Sequence, residues 1–266
     1  GQGRAEPWAE LRGHRVAMVT VDAALERVAL RGAPLGDGDD AVPRVRFDSV
    51  ETRARWRLDE GGWRFDAPRL RIGGGAKQQV VDGLADAGGQ RYALLADRID
   101  AVPLLQPAAL SDRVPAGLPR WRHQTRPQVS LQRISLAGRR DGPLRASARI
   151  DDLGFATVGT APGLSGLSGD IDADADGFSL RLDQASPMRF DWPSGFGVIH
   201  TVTLDGTVAG WREGAGWRIG THALTVKGEG FGARARGGMW WQGEGTRPWI
   251  DIAAHLDEAA VPVAKG

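Results

Sequence analysis

The sequence predicts an all-β protein, a long, curved and open antiparallel sheet, and three observations predict it. The first is strict alternation: in TRARWRL, Thr52, Ala54, Trp56 and Leu58 point one way and Arg53, Arg55 and Arg57 the other. The second is punctuation, because 38 glycines and 15 prolines cut the chain into short apolar runs, as many-stranded sheets require and helical bundles do not. The third is turn chemistry: DEGG at 59–62, RDGP at 140–143, DADG at 174–177 and EGAG at 213–216 stand between alternating runs. Asp and Gly tolerate the backbone angles of tight turns, so each tetrapeptide predicts a hairpin.

Taken in order, TRARWRL gives a strand with one greasy and one charged side. Residues 103–127, PLLQPAALSDRVPAGLPRWRHQTRP, break the pattern, because their prolines cannot donate to a ladder. The LLQPAALSDR core predicts a short helix there, a proline-rich insertion at about 104–128. Alternation resumes in LRASARI, where Leu144, Ala146, Ala148 and Ile150 oppose Arg145, Ser147 and Arg149. It recurs in FSLRLD, where Phe178, Leu180 and Leu182 oppose Arg181 and Asp183. These are strands of a sheet with one wet face. The expected organisation is one continuous segment over 1–266, with sub-repeats at about 1–103 and 129–266.

A long-period repeat supports that division. Trp63, Phe65, Leu70 and Ile72 recur as Trp217, Ile219, Leu224 and Val226, 154 residues on, each set preceded by a second tryptophan (Trp56, Trp211) and a glycine turn. Tyr92, Ala96, Ile99 and Asp100 match Trp249, Ala253, Leu256 and Asp257 at a shift of 157. A duplicated meander implies a sheet lengthened by accretion, and not a closed catalytic globule.

Composition narrows the function. Thirty-four Lys and Arg against 33 Asp and Glu give a net charge of +1, which argues against an electrostatically driven nucleic-acid partner. The absence of cysteine excludes disulfides, thiolate metal sites and cysteine nucleophiles. No run approaches the ~20 apolar residues that span a bilayer, and the start GQGRAEPWAE lacks a signal-peptide pattern, so the chain reads as soluble or as a soluble excerpt.

Motifs for chemistry are weak. DADADGFSLRLD at 172–183 places acids at loop positions 1, 3, 5 and 12 and Gly177 at 6, as in an EF-hand, but Asp183 stands where a bidentate glutamate is needed. Its second half alternates like a strand, so an acidic hairpin turn is the better reading. The histidines His14, His123, His200, His222 and His255 form no metal-binding spacing. GLSGLSG at 163–169 lacks the spacing of a nucleophile elbow and is read as a turn, and GEGFG at 228–232 precedes no helix that would hold a phosphate. No carboxylate pair stands out for acid–base work. The expectation is a protein that is not an enzyme, with no cofactor, no metal and no catalytic residue. Ten tryptophans and several arginines also suit stacking on sugars or nucleic-acid bases, yet the tryptophans fall in phase with Leu, Phe and Ile, so burial or lipid contact is the preferred reading.

LRASARIDDLGFATVGTAPGLSGLSGDIDADADGFSLRLD, MRFDWPSGF, LDGTVAGWREGAGWRI and RPWIDIAAHLDEA resemble the YhdP branch of the AsmA-like envelope proteins, relatives of TamB. PWAELRGHRV, RVRFDSVETRARWRLDEGGWRFDAPRLRI and PQVSLQRISLAG are similar to the stretch preceding these in that family. The resemblance implies an interior fragment of a large periplasmic protein of Gram-negative bacteria, anchored in the inner membrane by a helix absent from this segment. It further implies a taco-shaped sheet with an apolar interior that carries phospholipid between inner and outer membranes and supports the outer-membrane barrier. The candidate lining residues are Val45, Phe47, Trp56, Leu58, Trp63, Phe65, Leu70, Ile72, Leu144, Ile150, Phe178, Leu180, Leu182, Phe190, Trp192, Trp217, Ile219, Leu224, Val226, Ile250, Ile252 and Leu256. The rival expectation is an envelope scaffold whose apolar face is closed by protein and takes no lipid; a third is a carbohydrate-binding module using exposed tryptophans.

Overall fold

The computed structural model describes residues 2–31, 44–74, 78–100, 128–159, 162–194, 197–242 and 248–259. Among these the only regular elements are strands: β1 (Gln2–Arg12), β2 (Arg15–Arg31), β3 (Arg44–Asp59), β4 (Gly62–Ile72), β5 (Gln79–Gly89), β6 (Arg91–Asp100), β7 (Gln128–Arg139) and β8 (Leu144–Phe155), followed by β9 (Gly163–Asp174), β10 (Gly177–Leu182), β11 (Met188–Asp191), β12 (Ile199–Glu213), β13 (Gly216–Gly228), β14 (Phe231–Trp241) and β15 (Trp249–Ala259). They form a single 15-stranded sheet in chain order, except that the short β11 lies off the path and pairs with β9 and β12. The expected helix at 104–128 lies outside the described residues, apart from Gln128, which opens β7.

All four predicted turns join consecutive strands: β3 to β4, β7 to β8, β9 to β10 and β12 to β13. The acidic DADG turn has a local cause. The Asp174 carboxylate accepts the N–H groups of Asp176 and Gly177, both at 2.9 Å, closing the bend from its own side chain. GLSGLSG, expected as a turn, instead forms the first half of strand β9. Its glycines answer to crowding, since a Cβ at Gly166 would lie 2.7 Å from the Pro187 carbonyl oxygen and one at Gly169 would lie 2.4 Å from that of Arg181.

The chain divides into two compact units, the first ending within β8 at Ala146 and the second taking up β8 from Ser147. In the first, Val81, Ala96 and Ile99 form a buried cluster packed by Leu70, Leu84 and Ile134. In the second, Ile150, Leu180, Leu182, Met188 and Val202 are buried. Among the described residues no large side chain is fully buried, as expected where strands lie beside one another without a second layer.

The same irregularity appears in both units. The β3–β4 register shifts between Thr52 and Arg55, and the β12–β13 register between Gly206 and Ala209, each position 154 residues from its counterpart (52 to 206, 55 to 209). In each case the second strand holds the extra residue: three residues of β4 (67–69) oppose two of β3, and three of β13 (221–223) oppose two of β12. These are β-bulges, and they keep side chains of unequal parity on one face. Pro68 sits inside the first, where its missing N–H breaks no ladder bond.

The second half of the expected repeat is out of phase by one. Leu94 pairs with Asp86, which pairs with Phe65; Ile250 pairs with Met239, which pairs with Ile219. Since Ile219 is the counterpart of Phe65, the counterpart of Leu94 is Ile250, 156 residues on (94 to 250). Tyr92 shares the face of Leu94, whereas Trp249 points opposite to Ile250, so matching the two rings by sequence joins opposite faces.

Candidate functional site: an apolar face on each unit

Residues directly paired across antiparallel strands point to the same side, so the register assigns faces. In the first unit, Trp56 lies opposite Val19 and Phe65, Leu58 opposite Trp63, Thr52 opposite Leu70 and Val50 opposite Ile72. Trp56, Leu58, Trp63, Phe65, Leu70 and Ile72 therefore share one face. It continues through Leu84 and Val81 on β5, Leu94 and Ala96 on β6, and Leu136 and Ile134 on β7. Phe47 pairs with Val28 beyond Arg27, whose φ of 51° interrupts the alternation, so parity along β3 does not assign its face. Val45 pairs with Leu30, and its side chain lies outside the described residues.

In the second unit, Phe178 pairs with Ala173 and Gly210, Leu180 with Ile171 and Val208, and Leu182 with Gly169. Gly210 pairs with Ile219, Arg212 with Trp217, Gly206 with Leu224 and Leu204 with Val226. Beyond β13 the face runs through Met239 to Ile250, Gly237 to Ile252 and Ala233 to Leu256. All ten of these candidates on β10, β13 and β15 share a side. Ring contacts agree, Phe178 lying 6.5 Å from Trp217 and His200 lying 6.2 Å edge-on to Phe231. Phe190, opposite His200 on β11, joins them and meets Trp192 at 6.5 Å. On β8, Leu144 is half-buried in the first unit and Ile150 buried in the second.

Much of this apolar surface is uncovered. Leu58 is 54 % exposed, and Ile250, Ile252 and Leu256 are about as open. Besides Thr52, Asp86 and Gln79 interrupt the face of the first unit. Asp86 stands between Phe65 and Leu94, and loss of solvent there raises its carboxyl above the usual range, partly offset by the Ala87 N–H. Gln79, opposite Ile72, keeps a buried Oε1 without a hydrogen-bond partner among the described residues.

The opposite faces carry the charge. In the first unit Arg64 holds Asp66 at 2.7 Å, Arg69 holds Asp82 at 2.9 Å and Arg71 meets Glu51 at 3.3 Å. In the second, Arg181 meets Asp170 at 3.2 Å and Arg234 meets Asp257 at 2.8 Å. The hydrogen bond from Arg64 keeps Asp66 below the ordinary carboxylate range. Arg149 does the same for Asp183, helped by the Ala185 N–H. Asp183, the twelfth residue of the EF-hand-like run, is thus held by an arginine, and the run is a hairpin. Among the described residues no group of His, Cys, Asp and Glu has the arrangement of a metal site. No described helix is long and apolar enough to cross a membrane.

Not every tryptophan obeys the expected phase. Trp56, Trp63 and Trp217 are on the apolar side, as is Trp241 opposite Trp217, but Trp8, Trp211, Trp240 and Trp249 point the other way. The signal was present: Trp240 and Trp241 are adjacent, so one of them must leave the apolar face.

A family model described as YhdP protein matches residues 1–264. No curated protein and no solved structure matches the chain. With a family match over nearly its whole length and an all-strand sheet bearing a greasy and a charged face, the chain belongs to the YhdP family of AsmA-like envelope proteins.

Proposed function

We propose that this chain is a non-catalytic periplasmic segment of a lipid-transport protein, in which the apolar face of each unit shelters the acyl chains of phospholipid passing between inner and outer membranes. The observation that supports this most is that large apolar side chains stay uncovered on the face of each unit, Leu58 beside Trp56 and Phe65 in the first and Ile250, Ile252 and Leu256 on the face of Phe178 and Trp217 in the second. A monomeric domain buries such surface, and where it stays open it marks a partner of like polarity. Exposing an acyl chain to water costs ~0.8 kcal/mol per methylene, so a 16-carbon tail costs on the order of 12 kcal/mol. A continuous apolar surface removes that barrier without any bond being made or broken. The headgroup would remain on the solvent side.

Native mass spectrometry of the chain purified from Gram-negative cells tests this. Adducts with the masses of intact phospholipids are expected, lost when Leu58, Ile250, Ile252 and Leu256 are all replaced by glutamate. An adduct-free wild-type spectrum would favour the scaffold reading.

A further inference from the structure

The charged side of the second unit holds a row that the lipid reading does not use. Trp211 pairs with Arg218, Arg218 with Trp240 and Trp240 with Trp249, so four strands place Trp, Arg, Trp and Trp side by side on one face. The Arg218 guanidinium lies 5.0 Å over the Trp240 ring and is paired with Glu213. Trp249 is 73 % and Trp211 46 % exposed, and the Trp240 indole nitrogen is buried without an acceptor among the described residues. The adjacent row is nearly bare: Ala209 pairs with Gly220 and Gly220 with Gly238, ending at Asp251. Missing side chains beside a wall of rings leave a depression of about 1210 Å³, with His222 and Arg236 on its far side. The small residues are required here, because a Cβ at Gly238 would stand 2.7 Å from the Gly220 Cα.

We infer that this depression binds a glycan chain. Sugar rings present apolar faces to aromatic side chains and rims of hydroxyls to groups that donate and accept. Trp211 and Trp249 offer the platforms, Arg236 the donors and Asp251 the acceptor; neither Arg236 nor Asp251 forms an ion pair among the described residues. Strands lie ~4.8 Å apart, so the row spans about 14 Å, the reach of a short oligosaccharide laid across the strands. Acyl chains have no use for these polar groups. An ammonium ligand would find the Trp240 face already occupied by Arg218 and a second arginine nearby. A polyanionic strand would meet Asp251 and Glu213 in a chain of net charge +1.

Isothermal titration calorimetry of the full chain with two probes tests the inference and separates the sources of such a glycan. The probes are the β-linked tetramer of N-acetylglucosamine and the phosphorylated core oligosaccharide of deacylated lipopolysaccharide. Saturable binding of either is expected, weakened roughly tenfold or more by Trp249→Ala and by Trp211→Ala, in line with loss of a stacking platform. Phospholipid adducts should be unchanged in both variants, so failure here and failure of the lipid reading are told apart. Absence of heat with both probes, binding that survives both substitutions, or binding only of single-stranded oligothymidylate would each overturn it.

Discussion

Asp86 shows how one residue reports on its face. Its neighbours across the strands are Phe65 and Leu94, and the desolvation that raises its carboxyl pKa is the electrostatic signature of an apolar side. A folded-state pKa raised above the unfolded value means that ionisation opposes folding. The relative stability is present below the unfolded value and is lost as pH rises through the folded one. Asp86→Asn is therefore expected to stabilise the chain at about pH 7, by up to about 1 kcal/mol, since part of the carboxyl still meets water. The gain should vanish at about pH 3, where the wild-type carboxyl is protonated in both states. Urea denaturation at the two pH values checks this, and a gain independent of pH would contradict it. Asp183 has the opposite sign: the hydrogen bond from Arg149 lowers its pKa, as expected of a neutralised pair on the charged side.

At the scale of elements, the bulges in β4 and β13 decide which side chains meet. Trp63 and Phe65 are odd-numbered and Leu70 and Ile72 even-numbered, yet all four share a face because one extra residue resets the alternation. Deleting Pro68 should send Trp63 and Phe65 to the charged side while Leu70 and Ile72 stay, or else break the β4–β5 pairing. A loss of more than about 2 kcal/mol is expected. Pro68→Ala, which keeps the count, should cost much less, and equal urea midpoints for the deletion and the wild type would refute the assignment. The spacing of Trp63, Phe65, Leu70 and Ile72 was visible in the sequence, and the odd step from Phe65 to Leu70 carried the news of the bulge. Strand identity and the four turns were equally legible, because alternation and Asp-Gly chemistry are local. GLSGLSG was not: its glycines answer to the backbones of Pro187 and Arg181, which come close only after folding. The one-residue error between Tyr92 and Trp249 has the same origin, since phase along β6 and β15 is fixed through neighbouring strands that the sequence does not pair.

For the molecule as a whole, a repeated pattern of strands presents, in each unit, hydrocarbon on one side and ion pairs on the other. The sequence pointed to these faces through its repeat, and within each unit the register joins most of the lining candidates. The sequence did not foretell the tryptophan and arginine row on the other side, because Trp211, Arg218, Trp240 and Trp249 become neighbours only through three separate strand pairings. Family membership and the uncovered apolar residues point the same way. The most direct test places a photo-crosslinking amino acid at Leu58 and at Ile252 on the apolar faces, and at Arg55 and Arg234 on the charged faces, of the protein in living Gram-negative cells. Phospholipid adducts are expected from Leu58 and Ile252 and none from Arg55 or Arg234; protein adducts alone at Leu58 and Ile252, or lipid captured equally at all four positions, would refute lipid carriage on the apolar faces.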